Sequence, residues 1–172
     1  MTVISENRLN FEFPESFDVI KYDESQFFQS HFKKISNGIK AVDIIAVSES
    51  TTYLIEVKDY THPDTKSEGV NLVNIVIEKV LSTLSALMPM KNNAHLDNEK
   101  NLARKALITT KIVIVLHVEI PPRTKKIKQS FINLSNLQME LKKKIKPIDP
   151  HPKVVSMNKM GHLPWKVNSL RN

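Results

Sequence analysis

The stretch Val42-Asp43-Ile44-Ile45-Ala46-Val47-Ser48-Glu49-Ser50-Thr51-Thr52-Tyr53-Leu54-Ile55-Glu56-Val57-Lys58 holds two apolar runs, rich in β-branched residues, parted by a short polar break. That pattern predicts a β-hairpin with strands over about 40–47 and 52–58. If Glu49-Ser50 is its two-residue loop, Ser48 opposes Thr51 and Asp43 opposes Glu56, and directly opposed residues share a sheet face. Alternation puts Lys58 on that same face and turns Val57 to the other, apolar side. Two carboxylates and an ammonium then converge. Opposed acids repel, so the pair asks for a compensating cation, and a hard divalent ion, magnesium first, suits oxygen ligands of this kind.

Working outward, the order of elements alternates. Asp23-Glu24-Ser25-Gln26 reads as a capping box for a helix to about Ser36, with Phe28, Phe32 and Ile35 at helical spacing and Gly38 as its stop. Glu68 to Met88 predicts a largely buried helix on the row Val70, Val73, Ile77, Leu81, Leu84 and Met88, limited by Pro89. A short helical stretch over 102–107 precedes Ile112-Val113-Ile114-Val115-Leu116, which reads as an interior strand covered on both faces. An amphipathic helix carrying Ile127, Phe131, Leu134, Leu137, Leu141 and Ile145 follows, and Val154-Val155 and Trp165-Lys166-Val167 add a terminal strand or hairpin.

The segments Val42 to Ala46 and Leu54 to Lys58 resemble the active-site signature of the PD-(D/E)XK nuclease superfamily, the restriction-endonuclease-like fold. The resemblance implies an α/β fold, a central mixed sheet flanked by helices, formed as a single nuclease-like domain over 1–172. Its core motif region spans 23–117 and its basic C-terminal helix and strand region spans 123–172. It further implies a metal-dependent nuclease hydrolysing phosphodiester bonds of nucleic acid, DNA first, a magnesium-dependent (deoxy)ribonuclease. Asp43, Glu56 and Lys58 take the catalytic positions, with Glu24 the candidate for an additional acid from the first helix. Asp43, Glu56 and the backbone carbonyl of Val57 would bind Mg2+, with Mn2+ as a substitute. The alternative is a catalytically inactive nucleic-acid-binding or protein-interaction module on the same fold. The triplet by itself carries little weight, because Asp/Glu-x-Lys recurs at Asp64-Thr65-Lys66 and Glu140-Leu141-Lys142. A surface Glu–Lys pair is the ordinary explanation for such a triplet, and a first-turn acid interacting with a helix dipole is the ordinary explanation for Glu24.

Charge narrows the partners. The first 60 residues carry 6 Lys/Arg against 10 Asp/Glu and the rest carry 19 against 8, within a total of +7. The lysines Lys125, Lys126, Lys128, Lys142, Lys143, Lys144 and Lys146 form the expected nucleic-acid-binding set, a solvated helix face being the bland reading. With 172 residues, no cysteine and three glycines, the chain is expected to form one unit without thiol chemistry, cysteine-bound metal or a glycine-rich phosphate loop. Six scattered histidines lack zinc spacing. No membrane partner is expected, the location is expected to be cytoplasmic, and a homodimer is admitted.

Overall fold

The chain runs β1 (Thr2–Glu6), β2 (Leu9–Phe13), β3 (Asp18–Lys21), α1 (Gln26–Ser30), a 3-10 turn (Phe32–Lys34), β4 (Ile44–Val47), β5 (Thr51–Asp59), α2 (Leu72–Asn93), α3 (Asp97–Ile108), β6 (Lys111–Glu119), α4 (Leu134–Ile145), β7 (Lys153–Val155) and β8 (Lys166–Ser169). The structure is a computed structural model and describes residues 1–61, 71–121 and 133–170. Strands β3-β4-β5-β6-β7 form a mixed sheet and β1-β2-β8 a second, three-stranded one. The hairpin β4–β5 pairs Ile44 with Ile55 and Val47 with Thr52, the expected register, and the Ser48 N–H donates to the Thr51 carbonyl at 2.9 Å across the two-residue turn. β6 lies parallel to both β5 and β7, an interior strand as its unbroken β-branched run predicts.

Alternation along these strands assigns the two faces. Ile45, Leu54, Ile114 and Leu116 join the core formed with the helices, whereas Ile44, Ile55, Val57, Val113 and Val115 join a second core with Phe11 and Phe13 of β2 and with Trp165. Helices therefore cover one face of the mixed sheet, as expected of a sheet flanked by helices, and the small sheet, which lies outside that expectation, covers the other. The N-terminal Phe-x-Phe spacing makes this possible, since residues two apart on β2 share one face. Trp165 anchors the second core, its ring 5.1 Å from Phe13 and 5.1 Å from Tyr53.

Three local expectations change. The first helix is short, giving way to the 3-10 turn after Ser30; Ser25, not Asp23, is its N-cap, and the N–H groups of Gln26 and Phe27 are taken by the Glu99 carboxylate from α3 at 2.7 and 3.2 Å. Pro89 sits inside α2 rather than ending it. Of the row Val73, Ile77, Leu81, Leu84, Met88, Val73 is buried and Ile77 and Leu84 pack partly buried against the core, whereas Leu81 and Met88 are exposed and Leu72, Val76, Val80, Thr83, Leu87 and Met90 face inward instead. A helix with apolar residues around most of its girth gives periodicity no single face to choose. By length and composition α2 is apolar enough to cross a membrane, yet it packs against α3 and α4 over the sheet. The residues Val70, Ile127 and Phe131 lie outside the described residues.

Candidate functional site

Asp43, Glu56 and Lys58 share the helix-covered face of the hairpin. Asp43 directly precedes β4 and is pinned on three sides. Its carbonyl accepts from the Tyr22 N–H at 2.8 Å, the preceding Val42 N–H donates to Thr83 Oγ1 on α2 at 3.1 Å, and its own Oδ2 accepts from the Val57 N–H at 2.7 Å. Glu56 sits in the middle of β5, between β4 and β6, and is 1% exposed. Lys58 Nζ lies 3.4 Å from Glu56 Oε1.

The residue that completes the group comes from α2. Lys79 Nζ donates to both Glu56 oxygens at 2.6 and 2.7 Å and to Asp43 Oδ1 at 3.2 Å. Its signal in the sequence is faint: Glu78-Lys79 is the lone charged pair in the apolar run from Val73 to Leu84, and Lys79 stands three or four residues from the inward-facing Val76 and Thr83. Burial, then the neighbouring Asp43 charge, push the Glu56 carboxyl up to about 8, with Lys79 and Lys58 pulling the other way. Burial works against the Lys79 ammonium, but the Glu56 and Asp43 carboxylates outweigh it and hold its pKa above the ordinary lysine value.

Further acids and a turn border this group. Burial, followed by the charges of Asp43 and Glu6, pushes Asp23 up to about 6. Burial also raises Glu6, against a hydrogen bond from Lys21. Lys21 bridges Glu6 at 2.9 Å and Glu24 at 2.6 Å. Glu24 is therefore placed with Lys21 on the surface, outside α1, and among its described contacts none is to Asp43 or Glu56. Asn7 and Arg8, both at positive φ (48° and 65°), turn β1 into β2, and Asn7 Nδ2 donates to the Val57 carbonyl at 3.3 Å. Asp59 caps the loop after β5 by accepting from the Thr61 N–H at 2.9 Å.

The oxygens expected to ligate magnesium are thus engaged within the protein: Val57 O by Asn7, Asp43 Oδ2 by a backbone N–H, and the remaining three by Lys79. Among the described residues no three His, Cys, Asp or Glu side chains gather as a metal-binding group. As held, the residues do not fit a metal while Lys79 is in place. Among the described residues, His117 and His31 make their contacts elsewhere. His117, fully buried, bonds through Nε2 to Glu119 Oε1 at 2.9 Å, and His31 packs beside Phe27 and His95.

In the basic region, Leu141 and Ile145 of α4 are buried, while Lys142, Lys143, Lys144 and Lys146 are exposed. Lys144 Nζ reaches Asn74 Oδ1 on α2 at 2.5 Å. Lys125, Lys126 and Lys128 lie outside the described residues.

No family model matches the chain, and no solved structure matches it. A cysteine-tRNA ligase of Neisseria meningitidis serogroup A, serotype 4A, is 31% identical to it over 212 aligned residues, covering 98% of this chain and 30% of that protein. The chain thus spans about a third of the length of the curated relative it matches. Similarity to a ligase along nearly the whole chain overturns the resemblance to PD-(D/E)XK nucleases and, with it, the expected phosphodiester hydrolysis and magnesium-dependent nuclease activity. An inactive module on that same fold gains no support either. The short signature misleads for a physical reason: any strand with an acid and a lysine two residues apart presents them on one face, and a facing acid completes the pattern without the chemistry.

Proposed function

We propose that the chain is a tRNA-contacting module of a cytoplasmic protein related to tRNA ligases, and that it holds RNA through the lysine-rich face of α4 without itself hydrolysing it. The observation that carries this reading is the 31% identity to a cysteine-tRNA ligase across 98% of the chain. That relative's name gives tRNA as what it acts on, which replaces DNA as the first nucleic acid to test. Charge supports the choice: Lys142, Lys143 and Lys144 are exposed on α4 and Lys146 at its C-cap, and the helix is anchored to the core by Leu141 and Ile145. Lysine suits contacts to phosphates along a backbone, which position a nucleic acid without reading its bases. Because the chain covers 30% of the relative, joining cysteine to tRNA belongs in this reading to a larger protein, to which the chain contributes RNA contacts.

Binding of tRNA, followed by fluorescence anisotropy over a range of salt concentrations, tests the reading. Wild type should bind tRNA with an affinity that falls linearly on a log–log plot against salt. Replacing Lys142, Lys143 and Lys144 together by Gln should weaken binding and flatten the slope by up to about 3, roughly one unit for each phosphate that is no longer neutralised. Absence of tRNA binding by wild type, or an unchanged slope in the triple variant, overturns it.

A further inference from the structure

The Asp43–Glu56 pair already has cations that are part of the chain: Lys58 Nζ stands 3.4 Å from Glu56 Oε1, and Lys79 contacts both acids. Lys79 leaves α2 among Val76, Val80 and Thr83, all buried, and gives up water for three carboxylate contacts at 2.6, 2.7 and 3.2 Å. A buried ion persists only when paired and hydrogen-bonded to this degree. The three partners differ in their access to solvent: the Lys79 side chain is 15% exposed and that of Glu56 is 1% exposed. Glu56 is fixed in the centre of the sheet and Asp43 is pinned through its backbone and Oδ2. The lysine alone rides on a flexible four-carbon stem that can carry its charge outward.

We propose that Lys79 is the resident counter-cation of the Asp43–Glu56 pair, that it makes the pair independent of divalent metal, and that a divalent ion enters only in exchange for this ammonium. Two carboxylates brought onto one face of neighbouring strands need positive charge between them. The tethered ammonium supplies it at an effective concentration that no dilution of the native protein lowers. Magnesium, which gives up its water reluctantly, must displace a cation held by three charge-assisted hydrogen bonds before it reaches those oxygens. The inference rests on the geometry of this cluster and is independent of tRNA binding.

Thermal melting with EDTA and with millimolar MgCl2 or MnCl2 tests it. The wild-type melting temperature should be the same in both. Lys79→Met, which keeps the stem and removes the charge, should melt lower than wild type in EDTA and recover at least half of that deficit in metal. Combining Lys79→Met with Glu56→Gln should abolish the recovery. A wild-type protein that responds to metal as strongly as Lys79→Met, or a folded Lys79→Met that does not respond, overturns the proposal. Should Lys79→Met fail to fold in either buffer, acetylation of wild type read by mass spectrometry decides. At the highest soluble Mn2+ concentration Lys79 should be labelled severalfold faster than in EDTA while Lys100 is unchanged, and equal rates at Lys79 overturn the proposal.

Discussion

The two faces of the mixed sheet are made by the same strands, with alternate residues pointing opposite ways, yet they solve different problems. Against the small sheet, Ile44, Ile55 and Val57 meet Phe11, Phe13 and Trp165 in an apolar layer. Against the helices, Asp43 and Glu56 meet Lys79, with Lys58 beside Glu56, in a layer of charge flanked by the helix core of Ile45, Leu54 and Val76. An error in side-chain size should dominate on the first face, because close packing leaves no slack. An error in polarity should dominate on the second, because a buried charge or N–H deprived of its partner keeps its desolvation cost.

The largest effect expected from this contrast is at Phe11, which is fully buried and meets His117 edge-on at 5.2 Å. Phe11→Ala should cost about 3–5 kcal/mol in urea unfolding. The cavity it leaves borders His117 as well as the apolar side chains of the second core, so wild type and variant are compared at a single pH. A cost below about 1 kcal/mol would mean that the small sheet is not a real partner of the large one.

On the opposite face, Thr83→Val keeps the shape of a side chain that is 1% exposed and removes the oxygen that accepts the Val42 N–H at 3.1 Å. An orphaned buried donor costs about 1–3 kcal/mol, well above what a near-isosteric change costs where packing alone matters. Equilibrium unfolding of this variant measures the cost. An unchanged stability would show that the start of β4 is not held by α2, and Asp43 would be pinned on two sides rather than three.

The contrast also explains what can be read from the sequence. The hairpin register is legible because the β-branched runs on both sides of Glu49-Ser50 leave one pairing that buries Ile44 and Ile55 together. The juxtaposition of Asp43 with Glu56 follows from that register alone. Lys79 is not legible, since the run from Val73 to Leu84 is apolar on nearly every side and its period names Leu81 and Met88, which the structure exposes. The cap of α1 escapes for a similar reason: Glu99 reaches Gln26 and Phe27 from 72 or more residues away, and no local pattern encodes that contact. The activity is misread because a three-residue charge pattern is easy for any hairpin to produce, whereas similarity to a ligase extends over 98% of the chain.

The smallest effect concerns how far the charged layer extends, and Asp23 marks its rim. Burial first, then the charges of Asp43 and Glu6, raise its pKa from 3.8 to about 6, with Lys21 opposing. Its Oδ1 is buried without a hydrogen-bond partner. A carboxyl that is easier to protonate in the folded than in the unfolded chain costs nothing below its unfolded pKa. It withdraws stability as pH rises through the interval up to its folded pKa, here from 3.8 to about 6. Asp23→Asn removes that withdrawal. The variant should match wild type below the interval, gain on it through the interval, and keep a constant advantage above it. Because Asp23 is half-buried, solvent screens the charge, and the advantage should amount to only about 1–3 °C in melting temperature. Glu56, raised to about 8, imposes a slope of the same sign on both proteins over a wider range, so the difference between the two melting curves isolates Asp23. A difference that is flat across the whole pH range would confine the charged layer to Asp43, Glu56, Lys58 and Lys79.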